Sequence, residues 1–319
     1  MKVVDAAAVD ALLDPRGLAD ALATAFRGDI VVPPRHHHDM ERPGDEATLL
    51  LMPAWTGPTV EPAYFGTKIV SIFRNNASRG LPSVLGTYML NDGASGLPLA
   101  AIDGTRITTW RTAAASALAA RSLARPDARR MVMVGAGALA PFLIRAHAAE
   151  RPLADIALWN HRPDRAMAVA ADLAAAGLPV RAVTDLEAAV READIVSCAT
   201  LSVEPLVRGD WLRPGTHLDL VGAYKPTMRE TDDACVRRAS LFCDTRAGAL
   251  KEGGDLAIPI AAGIVQAADV KGDLFDLARG THPGRGSPDE ITLFKSVGTA
   301  IEDLAAAILV WNRLDRAPR

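Results

Sequence analysis

The chain contains two regions with different patterns of hydrophobic and polar residues. From Met131 onward, short apolar segments alternate with amphipathic or alanine-rich segments. The apolar segments are RRMVMVGAG, DIALWN, PVRAV, DIVSCAT, HLDLVGA and LFCDT. The segments between them include ALAPFLIRAHAAE, DRAMAVAADLAAAG and DLEAAVREA, which have a helical pattern. This alternation predicts an α/β fold of the Rossmann type, with a doubly wound, mainly parallel sheet covered by helices on both faces.

The region before about residue 115 follows another pattern. The helical segment GLADALATAFRG precedes three apolar stretches, ATLLLMPAW, TKIVSIF and GTYMLNDGASGLPLAAID. In the last of these, the turn-forming NDGASG separates two apolar runs, which predicts a hairpin. The region is therefore predicted to be α+β with an antiparallel sheet. The C-terminal segment EITLFKSVGTAIEDLAAAILVWNRL ends in a long predicted helix, which we expect to return to this first region.

Composition excludes several classes of protein. The 319 residues suffice for two domains, and a net charge of −3 without basic runs argues against nucleic-acid binding. No uncharged apolar stretch reaches the roughly 18 residues that a membrane span needs. Asp5 and Asp10 stand where a signal peptide would be apolar. We therefore expect a cytoplasmic protein, in which Cys198 and Cys243 are buried free thiols within strands.

A glycine-rich turn follows the first strand of the alternating region. The run Gly135, Ala136, Gly137, Ala138, Leu139, Ala140 matches G-x-G-x-x-A between a predicted strand and a predicted helix. In such a turn the first glycine permits a tight bend, the second lets amides approach a pyrophosphate, and the small Ala140 allows close helix packing. The helix N-terminus adds unpaired amides and a positive dipole end. We expect this turn to bind the pyrophosphate of a dinucleotide.

The end of the second strand indicates which dinucleotide binds. NAD-binding proteins commonly carry Asp or Glu about 20 residues after the glycine turn, where it bonds the ribose. Here DIALW is followed by Asn160, His161 and Arg162, with Arg165 close behind. No carboxylate repels a 2′-phosphate at this position, and the guanidiniums are suited to bind one. We therefore predict NADPH as the cofactor, with NADH as a weaker alternative.

Three cations of the first region stand beside apolar sequence: Arg35, Lys68 and Arg111. A buried cation is costly unless it meets an anion, so three converging cations would suit a small carboxylate substrate. A surface salt bridge is the alternative for each cation taken singly.

Three consecutive histidines, His36 to His38, raise the question of a metal site. Adjacent residues of a strand point to opposite faces, so these three cannot all bind one ion from a regular strand. The sequence has no second cluster of His, Cys or carboxylate residues at ligand spacing. We predict a loop or an edge segment here, without a metal.

Several segments together resemble the ornithine cyclodeaminase/mu-crystallin family. They are PPR, TKIVSIFRNN, GLPSVLGTYMLNDGASGLPLAAIDGTRITTWRTAAASALAA, MVMVGAGALA, VGAYKPTMRETD and TLFKSVGTAIEDLAAA, in the family's order and over nearly the whole chain. The resemblance implies a substrate-binding and dimerisation domain formed by residues 1–115 and 296–319. It also implies an inserted dinucleotide-binding Rossmann domain at residues 116–295, and a homodimer.

The resemblance also implies roles for individual residues. Arg35, Lys68 and Arg111 would line the substrate pocket and hold a carboxylate, with Tyr224 shaping the pocket. The cofactor-binding residues would be Thr112, the turn from Gly135 to Leu139, Asn160 to Arg162, Thr200, Val221, Gly222 and Ser296. Because Lys68 would lie near two guanidiniums, we expect its pKa to be lowered, and it would act first as a carboxylate ligand and second as a proton donor.

The segment VGAYKPTMRE indicates which chemistry of the family applies. In the family's cyclodeaminases the corresponding segment resembles Gly-Gly-Asp-x-Pro-Gly, and its aspartate is the acid/base for deamination. Aligned on Pro226, that aspartate falls at Tyr224, and tyrosine with an ordinary pKa of about 10 is a poor base at neutral pH. Glu230 and Asp232 are interpreted as caps of the following helix.

The segment is similar to the family branch that reduces the cyclic ketimines Δ1-pyrroline-2-carboxylate and Δ1-piperideine-2-carboxylate to L-proline and L-pipecolate. Three alternatives stay open: an ornithine cyclodeaminase, an alanine dehydrogenase, and a non-catalytic binding protein of the mu-crystallin kind. Lys68, Arg111 and the intact glycine turn favour an enzyme.

Overall fold

The computed structural model describes residues 1–42 and 45–316. The chain forms two compact units, of which one comprises Met1–Arg111 with Thr299–Arg319 and the other comprises Thr112–Gly298. The second unit is continuous in sequence and interrupts the first. The two unit boundaries differ from the domain boundaries expected from the sequence by four and three residues. The substrate-binding and cofactor-binding roles expected of these parts stay predictions.

The first unit is built on a seven-stranded sheet. Its strands are β1 (Lys2–Val4), β2 (Ile30–Val31), β3 (His36–Arg42), β4 (Asp45–Thr56), β5 (Tyr64–Phe73), β6 (Val84–Asp92) and β7 (Pro98–Asp103). The strand order is β1-β7-β6-β5-β4-β2, and β3 pairs with the other part of β4. Only β1 and β7 are parallel among these described pairs, so the antiparallel sheet predicted for this region is confirmed.

The hairpin predicted at NDGASG joins β6 to β7. Asp92 Oδ1 accepts hydrogen bonds from the backbone amides of Ala94 and Ser95, at 3.2 and 2.7 Å. Gly96 adopts a φ of 76°, a left-handed conformation that costs glycine little because it has no Cβ. The hairpin is therefore confirmed, and its local turn chemistry explains it.

The helices of the first unit cover one face of the sheet. They are α1 (Ala6–Leu12), α2 (Pro15–Arg27), the beginning of α3 (Gly104–Leu123) and α11 (Ala300–Arg316), with a 3₁₀ turn at Arg74–Arg79. Helix α2 buries Leu18, Leu22 and Phe26. Helix α11 contacts α2 and strands β4, β5 and β6, so the C-terminal helix does return to the first region.

The two faces of this sheet differ in burial, as β5 shows. Alternate residues from Tyr64 to Val70 are buried, whereas those between them are partly or fully exposed. Lys68 belongs to the buried set and pairs with Met52 of β4 and Tyr88 of β6. Because successive side chains of a strand point to opposite faces, Lys68 lies on the covered face of the sheet.

The second unit contains eight strands. They are β8 (Arg130–Val134), β9 (Asp155–Trp159), β10 (Val180–Val183), β11 (Ile195–Cys198), β12 (His217–Leu220), β13 (Ser240–Cys243), β14 (Val270–Asp273) and β15 (Thr292–Lys295). Its helices, besides the end of α3, are α4 (Ala140–Glu150), α5 (Pro163–Ala175), α6 (Leu186–Glu192), α7 (Asp233–Arg238), α8 (Arg246–Glu252), α9 (Gly254–Ala261) and α10 (Leu274–Arg279). Two 3₁₀ turns lie at Gly209–Trp211 and Ala267–Asp269.

All eight strands form one parallel sheet in the order β10-β9-β8-β11-β12-β15-β13-β14. The chain runs outward from β8 through β9 to β10, then returns to place β11 on the other side of β8. The direction of winding therefore reverses between β8 and β11. In open α/β sheets, ligands bind in the crevice at the carboxyl ends of the strands at this switch point. The parallel sheet predicted from the alternating pattern is confirmed.

The histidine run and the cysteines lie in strands or buried positions. His36, His37 and His38 are exposed residues of β3, which pairs with β4 alone among the described strands. The edge position predicted for them is thus confirmed. Cys198 and Cys243 are buried free thiols, as predicted. No helix in residues 1–42 or 45–316 is long and apolar enough to span a bilayer.

Candidate active site

The first unit holds a buried group of charges, which we call the Lys68 cluster: Lys68, Arg111, Glu302 and Asp303. The Lys68 side chain is 2% exposed. Its Nζ donates to Asp303 Oδ1 at 2.8 Å and to Thr108 Oγ1 at 3.1 Å. Three different elements therefore meet at one ammonium group: β5, α3 and α11.

Arg111 reaches the same carboxylate from α3. Its Nε donates to Asp303 Oδ1 at 3.0 Å, and its Nη1 donates to Glu302 Oε2 at 2.8 Å. Glu302 and Asp303 lie in the first turn of α11, where the helix dipole favours negative charge. Two cations and two carboxylates thus form a compensated buried group. Of the three cations considered from the sequence, Lys68 and Arg111 meet at one carboxylate, and their role as substrate ligands stays a prediction.

The electrostatics of the cluster set the charge states of its members. Burial lowers the pKa of Lys68 to about 8, Asp303 opposes this effect, and Arg111 and Arg35 add to it. The lowered pKa predicted from the sequence is confirmed, although burial, and not the neighbouring guanidiniums, is its main cause. Burial also disfavours the charged form of Arg111, but Asp303 and Glu302 raise its pKa overall.

The structure corrects one part of the sequence argument about these cations. A substrate carboxylate was expected to be the anion that makes burial of Lys68 and Arg111 tolerable. Glu302 and Asp303 already provide that compensation within the protein. Arg35, in the segment between β2 and β3, is half-buried and close enough to affect the pKa of Lys68.

Tyr88 is a further polar neighbour of Lys68 that sequence reasoning missed. It is fully buried beside Lys68 in the strand register, and its hydroxyl has no hydrogen-bond partner among the described residues. Burial and the charge of Asp303 raise the pKa of Tyr88 well above its usual value. A Cβ on Gly66 would approach the Tyr88 hydroxyl to 2.4 Å, so the glycine provides room for the ring. The phenol is therefore neutral at ordinary pH.

In the second unit, the glycine turn has the geometry that a pyrophosphate requires. Gly135 follows β8 with a φ of 108°, and a Cβ there would come within 2.6 Å of the Ala199 carbonyl oxygen. A Cβ on Gly137 would meet nothing within 4 Å, so the space over its backbone is open. Helix α4 then begins at the fully buried Ala140 without a side-chain cap. The amides of Ala140 and Phe142 donate to the carbonyl oxygens of Gly137 and Leu139, each at 3.1 Å, and Pro141 has no amide, so the first turn of α4 already satisfies its own donors.

The end of β9 presents cations and no carboxylate. Asn160 Oδ1 accepts a hydrogen bond from the Arg162 amide at 2.9 Å, which fixes the turn into α5. His161, Arg162 and Arg165 are all exposed. Their side chains make no hydrogen bond or ion pair with the rest of the described chain, so these groups are available to an anion.

Thr200 lies next to the glycine turn, at the end of β11. A Cβ on Gly135 would lie 3.2 Å from Thr200 Cγ2, which places the two loops in contact at the switch point. The Thr200 amide and hydroxyl both donate to Glu230 Oε1, at 2.7 and 2.9 Å.

Glu230 does not have the capping role that was predicted for it from the sequence. It does not cap α7, whose N-cap is Asp232 with an oxygen that accepts from the Cys235 amide at 3.0 Å. Instead the Glu230 carboxylate is fully buried and accepts from the backbone amides of Gly222 and Ala223 as well as from Thr200. The prediction that Glu230 caps this helix was therefore wrong, and the prediction that Asp232 caps it is confirmed.

Three other residues that were predicted from the sequence to contact the cofactor are buried. Val221 donates its amide to the Cys198 carbonyl at 2.9 Å, continuing the pairing of β11 and β12. Ser296 follows β15, and its hydroxyl donates to Asp244 Oδ2 at 3.2 Å. Thr112 is buried within α3.

Tyr224 stands in the loop after β12 and is 39% exposed. The Lys225 ammonium lies 5.5 Å from its ring centroid. Arg229 pairs with Asp233 and donates to the Thr231 carbonyl oxygen, so this cation stabilises the loop. Residues 221–229 contain no carboxylate.

The chain resembles known proteins over nearly its whole length. The sequence profile of the ornithine cyclodeaminase/mu-crystallin family matches residues 2–317. The chain belongs to this family. The membership predicted from the sequence segments is therefore confirmed.

Two reductases resemble the chain over most of its length. A Delta(1)-pyrroline-2-carboxylate reductase of Paracoccus denitrificans is 44% identical over 261 residues, covering 82% of this chain and 81% of the relative. The structure of Thermococcus litoralis Delta(1)-pyrroline-2-carboxylate reductase with NADH and L-proline has a TM-score of 0.91 at 33% identity, covering 98% of this chain and 97% of that one.

An archaeal alanine dehydrogenase dimer with bound NAD has a TM-score of 0.90 at 28% identity, covering 100% of this chain and 97% of that one. These likenesses confirm the Rossmann-type α/β fold.

Proposed function

We propose that the chain is an NADPH-dependent ketimine reductase, which reduces Δ1-pyrroline-2-carboxylate and Δ1-piperideine-2-carboxylate to L-proline and L-pipecolate. It is an oxidoreductase acting on C=N bonds. A bound dihydronicotinamide supplies hydride to the imine carbon that bears the carboxylate. The imine nitrogen, once protonated, receives the electron pair of the C=N bond and becomes the ring amine.

Lys68 and Arg111, together with the neighbouring Arg35, support this proposal because three cations in one region can hold the substrate carboxylate. Arg35 and Arg111 bind and orient that carboxylate, so the imine carbon is held in one position. Lys68 acts first as a third carboxylate ligand. Its pKa of about 8 also lets it donate a proton near neutral pH, although a substrate imine that arrives protonated needs no donor.

Asp303 holds both Lys68 and Arg111 in place. Its contacts with their nitrogens, at 2.8 and 3.0 Å, orient the two cations before substrate binds. An oriented pair loses less conformational entropy on binding than two free side chains. The hydroxyl of Tyr88 belongs to the same buried face and stays protonated, so it offers a further neutral donor.

The observation that carries the choice of reaction is the loop after β12. Its first nine residues, 221–229, contain no carboxylate, and Tyr224 occupies the position of the cyclodeaminase aspartate. The first carboxylate that follows, Glu230, accepts four hydrogen bonds from the protein and is fully buried. Deamination needs an acid/base group that this loop lacks, whereas reduction of an imine needs none there.

NADPH is the proposed cofactor because of the residues after β9. Asn160, His161 and Arg162 bring no negative charge, and Arg162 and Arg165 are exposed guanidiniums suited to a 2′-phosphate. The open space over the backbone of Gly137 suits the pyrophosphate. NADH binds more weakly because it lacks the 2′-phosphate.

The proposed enzyme is a homodimer. The uncovered face of the first sheet carries Trp55, Phe65, Ile69 and Leu85, which are 37 to 41% exposed. Phe65 pairs with Trp55 across β4 and β5, so the apolar residues adjoin. Apolar patches of this kind commonly mark contacts between protein chains. A cytoplasmic location stays a prediction.

Steady-state assays with a small panel of substrates test the function. NADPH oxidation is followed with Δ1-pyrroline-2-carboxylate, with Δ1-piperideine-2-carboxylate and with pyruvate plus ammonia, and ammonia release is measured from ornithine. Rapid turnover of a cyclic ketimine is the expected result. Preferred turnover of pyruvate with ammonia would identify an alanine dehydrogenase, and ammonia release from ornithine would identify a cyclodeaminase; either result contradicts the proposal.

A further inference from the structure

The loops at the carboxyl ends of β11 and β12 are joined through one buried carboxylate. Glu230 Oε1 accepts from the Thr200 amide at 2.7 Å and from the Thr200 hydroxyl at 2.9 Å. Its other oxygen, Oε2, accepts from the amides of Gly222 and Ala223 at 2.8 and 3.2 Å. We call Glu230 and these three partners the Glu230 clamp. In all four hydrogen bonds of the clamp, the Glu230 carboxylate is the acceptor.

A second buried pair, Asp255 and Lys295, fixes the backbone of Glu230. Asp255 of α9 accepts from the Glu230 amide through Oδ1 at 2.8 Å. Its other oxygen accepts from Lys295 Nζ, on β15, at 3.1 Å. Asp255 and Lys295 are both fully buried. The clamp is therefore anchored to the core of the parallel sheet, and Glu230 has little freedom to move.

Gly222 shows how closely the two loops approach each other. A Cβ at this position would lie 2.1 Å from the Thr200 carbonyl oxygen and 2.5 Å from Glu230 Oε1. The backbone of one loop thus packs directly on the backbone of the other. Two parallel backbones at this distance need an acceptor between them for their amides, and Glu230 provides it.

We propose that Glu230 is a positioning residue, which in its ionised form holds the loops after β11 and β12 in the arrangement that binds the nicotinamide cofactor. This inference rests on the proposed function, since it requires that Thr200, Val221 and Gly222 contact the cofactor. Glu230 touches neither cofactor nor substrate and acts through these loops. Protonation of Glu230 weakens cofactor binding, because a protonated oxygen is a weaker acceptor and its hydrogen competes for space with the two donors that it faces.

The charges around Glu230 bring this protonation into a measurable pH range. Burial and the neighbouring Asp255 raise the pKa of Glu230 to about 7, against the opposing effects of Lys295 and of the hydrogen bonds from Thr200. The third neighbouring group, the Cys198 thiol of β11, stays neutral because burial raises its pKa far above the usual value. Below pH 7 the neutral form of Glu230 predominates, and above pH 7 the ionised form does.

Direct cofactor binding to the full-length protein tests the clamp. The dissociation constants of NADPH and NADH are measured by fluorescence between pH 6 and pH 8.5. NADH is the second probe because the 2′-phosphate of NADPH itself titrates near pH 6. The wild-type dissociation constant for both cofactors is expected to rise by roughly tenfold from pH 7.5 to pH 6.

Three variants separate positioning from general damage. In Glu230→Gln the amide group faces two of the four donors, so cofactor binding at pH 7.5 weakens by about ten- to a hundredfold and loses its dependence on pH near 7. The turnover number with saturating cofactor changes much less. Glu187→Gln, on the half-exposed carboxylate of α6 that pairs with Arg191, binds cofactor as the wild type does.

Thr200→Val provides a readout that does not depend on the fold of Glu230→Gln. It removes one hydrogen bond that favours the ionised carboxylate, so the pH at which cofactor affinity declines moves upward. A Glu230→Gln protein that retains wild-type affinity and wild-type pH dependence would overturn the proposal, as would an unchanged pH midpoint in Thr200→Val. A wild-type protein that binds neither cofactor would overturn the proposed function itself, and with it the role of the clamp.

Discussion

Lys68 and Arg111 donate to the same carboxylate oxygen, Asp303 Oδ1, at 2.8 and 3.0 Å. The two cations come from β5 and α3, and the shared acceptor comes from the first turn of α11. The Asp303 carboxylate therefore holds together two positive groups that would otherwise repel each other. This arrangement presents a fixed pair of cations, which suits the carboxylate of a small imino acid.

The pH dependence of activity reports on Lys68. Its pKa is lowered to about 8, so the side chain is a charged ammonium below that pH and a neutral amine above it. If the ammonium binds substrate, kcat/KM falls by roughly tenfold per pH unit above pH 8. In Lys68→Arg, whose guanidinium stays charged, activity is lower but this decline disappears. A Lys68→Arg protein with the wild-type decline would show that another group titrates.

Removal of the Asp303 charge shifts the pH at which kcat/KM declines. Because Asp303 raises the pKa of Lys68, Asp303→Asn lowers that pKa further. The decline in kcat/KM then begins at a pH that is lower by about one unit. The pH profiles of the two proteins measure this shift. Asp155→Asn, which alters an exposed pair with Arg181, is the matched control and keeps the wild-type profile. An unshifted profile in Asp303→Asn would contradict the role given to Asp303.

Cofactor preference tests the residues after β9. Replacement of Arg162 and Arg165 by Ala removes two charge-assisted contacts with a 2′-phosphate, so kcat/KM for NADPH falls by about ten- to a hundredfold. The value for NADH stays within about twofold, since NADH carries no such phosphate. Arg145→Ala, on the exposed side of α4, is the control. Equal losses with both cofactors would refute the assignment.

The oligomeric state tests the uncovered face of the first sheet. Phe65→Glu places a charge on the apolar face, so the dimer is expected to dissociate into monomers. Light scattering coupled to size-exclusion chromatography measures the mass. Met167→Glu, on an exposed apolar residue of α5, leaves the mass at that of a dimer. A monomeric wild-type protein, or a dimeric Phe65→Glu protein, would contradict this interface.

Local patterns in the sequence were sufficient for much of the fold. The glycine turn, its flanking strand and helix, and the hairpin at Asp92 all depend on neighbouring residues. Strands β14 and β15 were not identified. Strand β14 has the sequence VKGD, which is not an apolar run, and β15 was read as part of the C-terminal segment.

The anionic half of the Lys68 cluster could not be read from local patterns. Lys68 and Asp303 are 235 residues apart in the chain, and no spacing rule joins them. A signal was nevertheless present, because Glu302 and Asp303 interrupt an otherwise apolar helix, AIEDLAAAILV. Two acids on such a helix indicate buried cations elsewhere. Glu230 was missed for a different reason, since an acid just before a helix usually caps it.

The measurement that tests the central claim most directly is product analysis with Δ1-pyrroline-2-carboxylate and NADPH. Chiral amino-acid analysis quantifies proline, and absorbance quantifies the NADPH consumed. The proposed reaction predicts one L-proline for each NADPH oxidised, and no ammonia from ornithine under the same conditions. Ammonia release from ornithine, or no proline from the imine, would contradict it.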